Sequence, residues 1–324
     1  MQMRRLGAQG PLVPAIGLGC GPMSQGKPDD DASVATIRAA IDAGIALIDT
    51  ADFYGNGHNE DLLRRALRAG DRERVVLSDK FGGLRDPAGR FIGLDARPVH
   101  VKSALGYSLQ RLGTDHIDIY RPARLDPAVP IEDTVGAIAE MIEAGWVRHI
   151  GLSEVGAETI RRAHAVHPIA DVQIEYSLFA RGPERAILDT CRELGIGVTA
   201  YGVLAHGLLT GSYSGDSGET GHLPWFSAEN LPANLALVER LRPIAGDLGV
   251  SIAQLAVAWV LSRGDSIVAL VGASRPSRVD SAVAAAALEL GGAQLDAIEA
   301  AVPPGSVSGT RYAAPLMAML DSER

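Results

Sequence analysis

The sequence predicts an α/β fold: one (β/α)8 TIM barrel with an N-terminal β-hairpin and an irregular C-terminal tail. Three observations carry that expectation. Short apolar runs alternate with amphipathic segments about eight times along 324 residues, and strict alternation implies a parallel sheet with right-handed crossovers. Eight such units in this length suit closure into a barrel better than an open doubly wound sheet. No Gly-x-Gly-x-x-Gly follows the first strand to open a helix, which counts against a nucleotide-binding open sheet. No linker divides the chain, so residues 1–324 read as one domain.

The elements follow in order. Residues 4–13 place short runs around a two-residue turn and predict a hairpin over the barrel floor. Residues 15–19 form the first strand, and 33–43 form a helix with Val34, Ile37, Ala40 and Ile41 on one face, stopped by Gly44. Strand 46–48 leads through a polar turn to helix 59–69, and strand 75–78 precedes a glycine-rich loop at 82–93. Helix 98–112 carries Pro98 in its first turn, where the missing N–H is harmless. Strands 117–120, 147–152, 169–174 and 198–201 alternate with helices 131–144, 156–166 and 183–194. Residues 211–230, polar and without periodicity, predict a long surface loop. Helices 231–248 and 251–262, strand 267–271 and helix 276–288 complete the pattern before an irregular tail at 303–324.

Composition narrows the function. The chain is 47% hydrophobic, enough for a large core, and 30 basic against 39 acidic side chains give a net charge of −9. That balance, with no basic run longer than a pair, argues against nucleic acid as the partner. Gly10, Pro11 and Pro14 interrupt the apolar N-terminal stretch, and no uncharged apolar run reaches about 18 residues, so neither a signal segment nor a membrane span is expected. A cytoplasmic protein, monomeric or a small homo-oligomer, is the expectation. Cys20 and Cys191 read as two buried small hydrophobes. Lysine is restricted to Lys27, Lys80 and Lys102. Lys27 and Lys102 read as exposed charges, whereas Lys80 sits inside an apolar run and calls for a purpose.

In a barrel of this kind function belongs at the C-terminal strand ends. Asp49, Lys80, Arg124, Ser153, Glu154, Gln173 and Tyr201 all fall at or just beyond such ends, and Tyr54 lies on the loop that Asp49 starts. A phenol beside an ammonium, itself held by a carboxylate, can protonate an oxygen that becomes an alkoxide during hydride transfer. Asp49 and Lys80 would equally form a purely structural buried ion pair.

The segment Asp49-Thr50-Ala51-Asp52-Phe53-Tyr54-Gly55-Asn56-Gly57-His58-Asn59-Glu60 resembles the signature of the aldo-keto reductases. The resemblance extends through Gly17-Leu18-Gly19-Cys20, Lys80-Phe81-Gly82, Arg124-Leu125-Asp126-Pro127, Gly151-Leu152-Ser153, Gln173-Ile174-Glu175-Tyr176-Ser177 and Ala200-Tyr201-Gly202. It implies a barrel that binds extended NADPH or NADP+ and reduces the carbonyl of a small organic molecule. Tyr54 would be the proton donor, assisted by Lys80 and Asp49. Ser153 and Gln173 would bind the nicotinamide carboxamide, and Tyr201 would stack on its ring. Gly202, Leu204 and Gly207 would run along the pyrophosphate, and Ser274, Arg275 and Arg278 would hold the 2′-phosphate. Pocket walls would come from Met23, Phe53, Phe81, Arg124, Trp225, Phe226 and Tyr312; Trp225 and Phe226 would equally suit self-packing of their loop. No metal site is expected, because the eight histidines are scattered.

Three positions depart from the family pattern. Ala123 stands where the family places a catalytic histidine, Glu154 where asparagine commonly follows the serine, and Ala282 where asparagine often touches adenine. His116 precedes its strand and belongs at the wrong end of the barrel to compensate. Ala123 also leaves open a second reading, an NADP(H)-binding sensor or regulatory protein with little catalysis.

Overall fold

A computed structural model describes residues 1–26, 28–213 and 222–324. Strands β1 (Met3–Arg5) and β2 (Leu12–Pro14) pair antiparallel, Arg4 opposite Val13. They are followed by β3 (Ile16–Gly19), β4 (Leu47–Asp49) and β5 (Val76–Phe81), then by a second antiparallel pair, β6 (Gly83–Arg85) and β7 (Phe91–Leu94). The remaining strands are β8 (Ile117–Pro122), β9 (Val147–Ser153), β10 (Ile169–Glu175), β11 (Gly197–Tyr201) and β12 (Ile267–Gly272). The eight strands β3-β4-β5-β8-β9-β10-β11-β12 form a closed parallel barrel, with β12 returning to pair β3. The expected (β/α)8 architecture is the one observed.

Local chemistry explains the helices that ring it. Helix Pro98–Leu112 starts on proline and ends where Gly113 takes a left-handed φ of 65°, a cap that glycine adopts without steric cost. Ser251 and Gln254 form a reciprocal capping box ahead of helix Ile252–Leu261. Every residue of β10 is buried, because barrel strands face side chains inward and helices outward. The barrel interior is partly polar. Fully buried Arg121 bonds Asp171 at 3.0 Å and Ser78 Oγ at 2.8 Å; removing one partner of such a pair costs about 3–5 kcal/mol.

The hairpin does close the floor: Leu6 and Val13 are fully buried against Leu47, Ile119 and Val268. Its connection is six residues rather than two, because Leu6 must turn inward and its N–H bonds Pro11 O at 3.0 Å. Residues 82–93 are not a plain loop. Asp86 Oδ1 accepts from both Ala88 and Arg90 N–H at 2.9 Å, a side-chain turn that brings β6 and β7 together despite the flanking glycines. Helix 183–194 is broken at Ala186, leaving a turn and helix Ile187–Leu194. A further helix, Gly292–Ala301, follows the last one that periodicity marks, and the tail carries a short helix at Ala314–Met317. The predicted loop at 211–230 lies partly outside the described residues, as does Lys27; Lys102 is half-exposed and bonds Glu140 at 2.5 Å. Both cysteines are free and buried. Among the described residues no single helix is long and apolar enough to cross a membrane.

Candidate active site

The strand ends deliver the expected polar groups to one mouth of the barrel. Asp49 closes β4, Ser153 closes β9, Tyr201 closes β11, and Lys80 and Gln173 sit one or two residues from the ends of β5 and β10. Tyr54 reaches the same mouth from the turn after β4. That turn needs its glycines: Gly55, Asn56 and Gly57 take consecutive φ values of 59°, 53° and 94°, which side chains other than Asn resist. Buried Asn59 fixes the turn from below, donating to Cys20 O and Ser24 Oγ at 2.8 Å and accepting from Thr50 Oγ1 at 2.7 Å.

Lys80 and Asp49 are buried and joined by a short ion pair, and Lys80 Nζ also donates to Thr50 O at 2.6 Å. Asp49 Oδ2 accepts from Ser78 Oγ and Gln173 Nε2, each at 2.7 Å. Burial works against the Lys80 ammonium, but the Asp49 charge outweighs it, so the lysine pKa is raised and the group stays cationic. Lys80 Nζ lies 5.2 Å from the centroid of the Tyr54 ring. Carboxylate, ammonium and phenol therefore form one chain opening into a cleft of about 1570 Å³.

Ser153, Gln173, Tyr201, Gly202, Leu204, Gly207 and Arg278 all line that cleft, as do Phe53, Arg124 and Tyr312. Ala123 lines it as well, so no imidazole faces Tyr54 from that position. His116 lies at the N-terminal end of β8, paired with Asp115 and Asp118, far from this mouth. Ala282 contributes a small wall residue from helix Pro276–Ala285.

Five expected residues do not reach the cleft, and a sixth suggested aromatic joins them. Phe81 is fully buried and stacks on Tyr120 at 4.5 Å. Neighbours on a strand point to opposite faces, so with Lys80 facing the mouth Phe81 faces the helix layer. Met23 is 1% exposed and turned into the core, leaving Gly21, Pro22 and Ser24 as lining. Trp225 packs edge-on at 5.9 Å against Phe179, beyond the end of β10, and Phe226 packs at 5.6 Å against Tyr213 of its own loop, so only Phe226 serves the loop's own packing. Tyr213, His222 and Leu223 line the cleft instead. Ser274 and exposed Arg275 lie between β12 and the next helix, outside the walls.

Glu154 has a different role from the one its position suggested. Its φ of 54° matches a site where asparagine is at home, but its carboxylate is turned away into the protein. Arg311 donates to both its oxygens at 3.0 and 2.6 Å, with Ser322 Oγ at 2.7 Å and the Tyr201 hydroxyl and Glu175 N–H at 2.8 Å. Arg311 also bonds Glu175 at 2.9 Å. Burial would raise the Glu154 carboxyl, yet the Arg311 bonds and charge outweigh it and hold it down at about 2. This clamp fastens the C-terminal tail to β9, β10 and β11 and brings Tyr312 to the cleft, its hydroxyl 3.4 Å from that of Tyr201. Nothing local in the sequence announces it.

The cleft fits a dinucleotide. Its size exceeds the 300–1,000 Å³ or so of an ordinary single-ligand pocket. Beside it Ala205, His206 and Gly207 hold φ values of 47°, 53° and 102°, strained backbone of the kind found at ligand clamps. Arg278 makes no ion pair among the described residues and stands free for a phosphate.

Comparison with known proteins agrees with this geometry. A model of the Aldo/keto reductase family matches residues 15–303. Probable aldo-keto reductase 1 of Glycine max is 39% identical, over 96% of this chain and 92% of its own length. The glycerol dehydrogenase structure from Gluconobacter oxydans superposes with a TM-score of 0.84 at 30% identity, covering 96% of this chain and 99% of that one. An aldo/keto reductase from Klebsiella pneumoniae, solved with NADP and acetate, gives 0.76 at 28% identity over 97% and 99%. The chain belongs to the Aldo/keto reductase family.

Proposed function

We propose that this protein is an NADPH-dependent oxidoreductase that reduces an aldehyde or ketone of a small organic substrate. The observation that carries it is the buried Asp49–Lys80 pair directed at the Tyr54 ring, and the Klebsiella pneumoniae relative with NADP supports the cofactor. Bound NADPH supplies the hydride. Tyr54 then donates its hydroxyl proton to the carbonyl oxygen as alkoxide character develops. The ammonium of Lys80, 5.2 Å from the Tyr54 ring centroid, stabilises the phenolate left behind, and Asp49 keeps that ammonium charged and fixed.

The remaining wall residues orient the cofactor. Gln173 commits one of its two amide N–H groups to Asp49, which leaves its Oε1, its second N–H and the Ser153 hydroxyl as partners for a carboxamide. The Tyr201 ring, with its hydroxyl tied to Glu154, offers a fixed face for the nicotinamide. Arg278 takes the 2′-phosphate, for which a guanidinium fork is well shaped.

Replacing Tyr54 by Phe should abolish carbonyl-dependent NADPH oxidation while NADPH still binds, measured by absorbance loss and fluorescence titration. Unchanged turnover would overturn the assignment. Ala123 favours a second reading, a sensor that binds NADP(H) with little chemistry. A broad aldehyde and ketone screen separates them, since turnover of any member excludes a pure sensor.

A further inference from the structure

The described lining of the cleft is mainly cationic in a chain whose net charge is −9. Among the described residues its one acidic lining residue is Asp49, already bonded to Lys80, Ser78 and Gln173. Against it stand Arg85, Arg124 and Arg278, none within 4.0 Å of a carboxylate among the described residues. Arg278 lies on the cofactor side. Arg124 is the one that stands next to Ala123, on the wall shared with Tyr54 and Tyr312.

The bonding of Arg124 is lopsided. Its Nη1 donates to Ala123 O at 2.6 Å and approaches Ser153 Oγ at 3.5 Å. Its Nε and Nη2 have no protein partner among the described residues, so one edge of the guanidinium fork faces the cleft. The neighbouring carboxylate of Glu154 does not answer it, because Arg311, Ser322, Tyr201 and the Glu175 N–H already occupy both its oxygens. A half-buried guanidinium with a free edge accepts a planar two-oxygen anion bidentately, in surroundings that strengthen the attraction.

We propose that Arg124 is the specificity-determining residue of the substrate half of the cleft, and that the preferred carbonyl substrate carries a carboxylate that docks on its Nε–Nη2 edge. This rests on the oxidoreductase reading above and names its substrate class. Phe53, Phe91 and Leu316 line the same cleft, so the body between the carbonyl and the carboxylate is apolar or aromatic. Arg85 is already engaged, its guanidinium over the Phe53 and Phe91 rings and bonded to Gly89 O. The free edge of Arg124 therefore acts as one fork and suits a carboxylate better than a phosphate dianion, which gathers several donors. Binding energy at the carboxylate holds the carbonyl against Tyr54 without help from a residue at position 123, because remote contacts can be used to orient the reacting centre.

The test compares 4-carboxybenzaldehyde with its methyl ester, using the full-length protein and NADPH at pH 7. The wild type should show a kcat/KM about ten- to hundred-fold higher for the acid, the range expected of a charge-assisted bidentate contact. That ratio should fall to about one in Arg124→Leu and be partly restored in Arg124→Lys, with NADPH titration confirming that each variant is folded. In the wild type alone, benzoate should inhibit and benzamide should not, a measurement independent of any variant. Equal use of acid and ester, or a preference that survives Arg124→Leu, overturns the proposal while leaving the oxidoreductase intact. Reduction of neither compound nor any other carbonyl by the NADPH-loaded protein overturns the oxidoreductase reading and this proposal with it.

Discussion

Arg311→Ala offers a quantitative test of the tail clamp. In the wild type Arg311 is 6% exposed and serves three carboxylates: Glu154 and Glu175, which are 0% and 1% exposed, and the less buried Glu323 at 2.9 Å. Holding the Glu154 carboxyl down from its ordinary 4.5 to about 2 corresponds to about 3 kcal/mol of stability at neutral pH. The general cost of orphaning one member of a buried ion pair, about 3–5 kcal/mol, gives the same magnitude independently. For a chain of 324 residues, an unfolding entropy of about 2 cal/mol/K per residue converts that to a fall in Tm of about 5 °C. The sign of the pH dependence follows from the depressed carboxyl: its contribution is complete above about 4.5 and is lost as pH falls toward 2. In the variant, burial without the guanidinium raises the Glu154 carboxyl, so it protonates at a higher pH and the penalty is relieved. Calorimetry should therefore find the widest gap between wild type and variant near pH 7.5 and a narrower one at pH 5. High salt should change the gap little, since the pair is buried. A gap under about 1 °C at pH 7.5, or one that grows on acidification, would refute the reasoning.

Two further substitutions probe the cleft. Ala123→His should raise kcat on a neutral aldehyde at least about tenfold, because one oxyanion-side donor is commonly worth 10²–10³ in rate; stopped-flow traces with unchanged kcat would show that position 123 is not what limits ordinary aldehydes. Arg278→Ala should weaken NADPH binding about ten- to hundred-fold with little effect on NADH, read by fluorescence titration; equal weakening of both cofactors would remove Arg278 from the 2′-phosphate.

How much of this was legible in the sequence depends on the range of the interaction. The barrel was readable because each unit carries its own punctuation, such as Gly44 after the first helix or Pro98 at the start of the third. Asp49, Lys80 and Tyr54 were readable because strand ends share one mouth, so position along a strand becomes position in the site. The hairpin at 83–94 was hidden because Asp86 makes the turn through its side chain, against the glycines on either side. Glu154 and Arg311 are separated by 157 residues, and no periodicity links them; only the folded tail does. The placement of Phe81 needs no long-range information. Strand parity alone places it opposite Lys80, whereas the burial of Met23, Trp225 and Phe226 depends on loop packing that has no such rule.

Closure of the barrel has a consequence for how the chain is made. Gly17 of β3 pairs with Leu270 of β12, and Arg4 in the floor hairpin donates to Gly264 O and Ile267 O. The first barrel strand to leave the ribosome therefore waits for the last barrel strand. At about 5–20 residues per second that interval is roughly 12 to 50 s, during which β3 presents an open edge to solvent. The barrel's cooperative closure therefore comes late, after β12 has been made, and any strand edge formed before then is a site where wrong pairing competes.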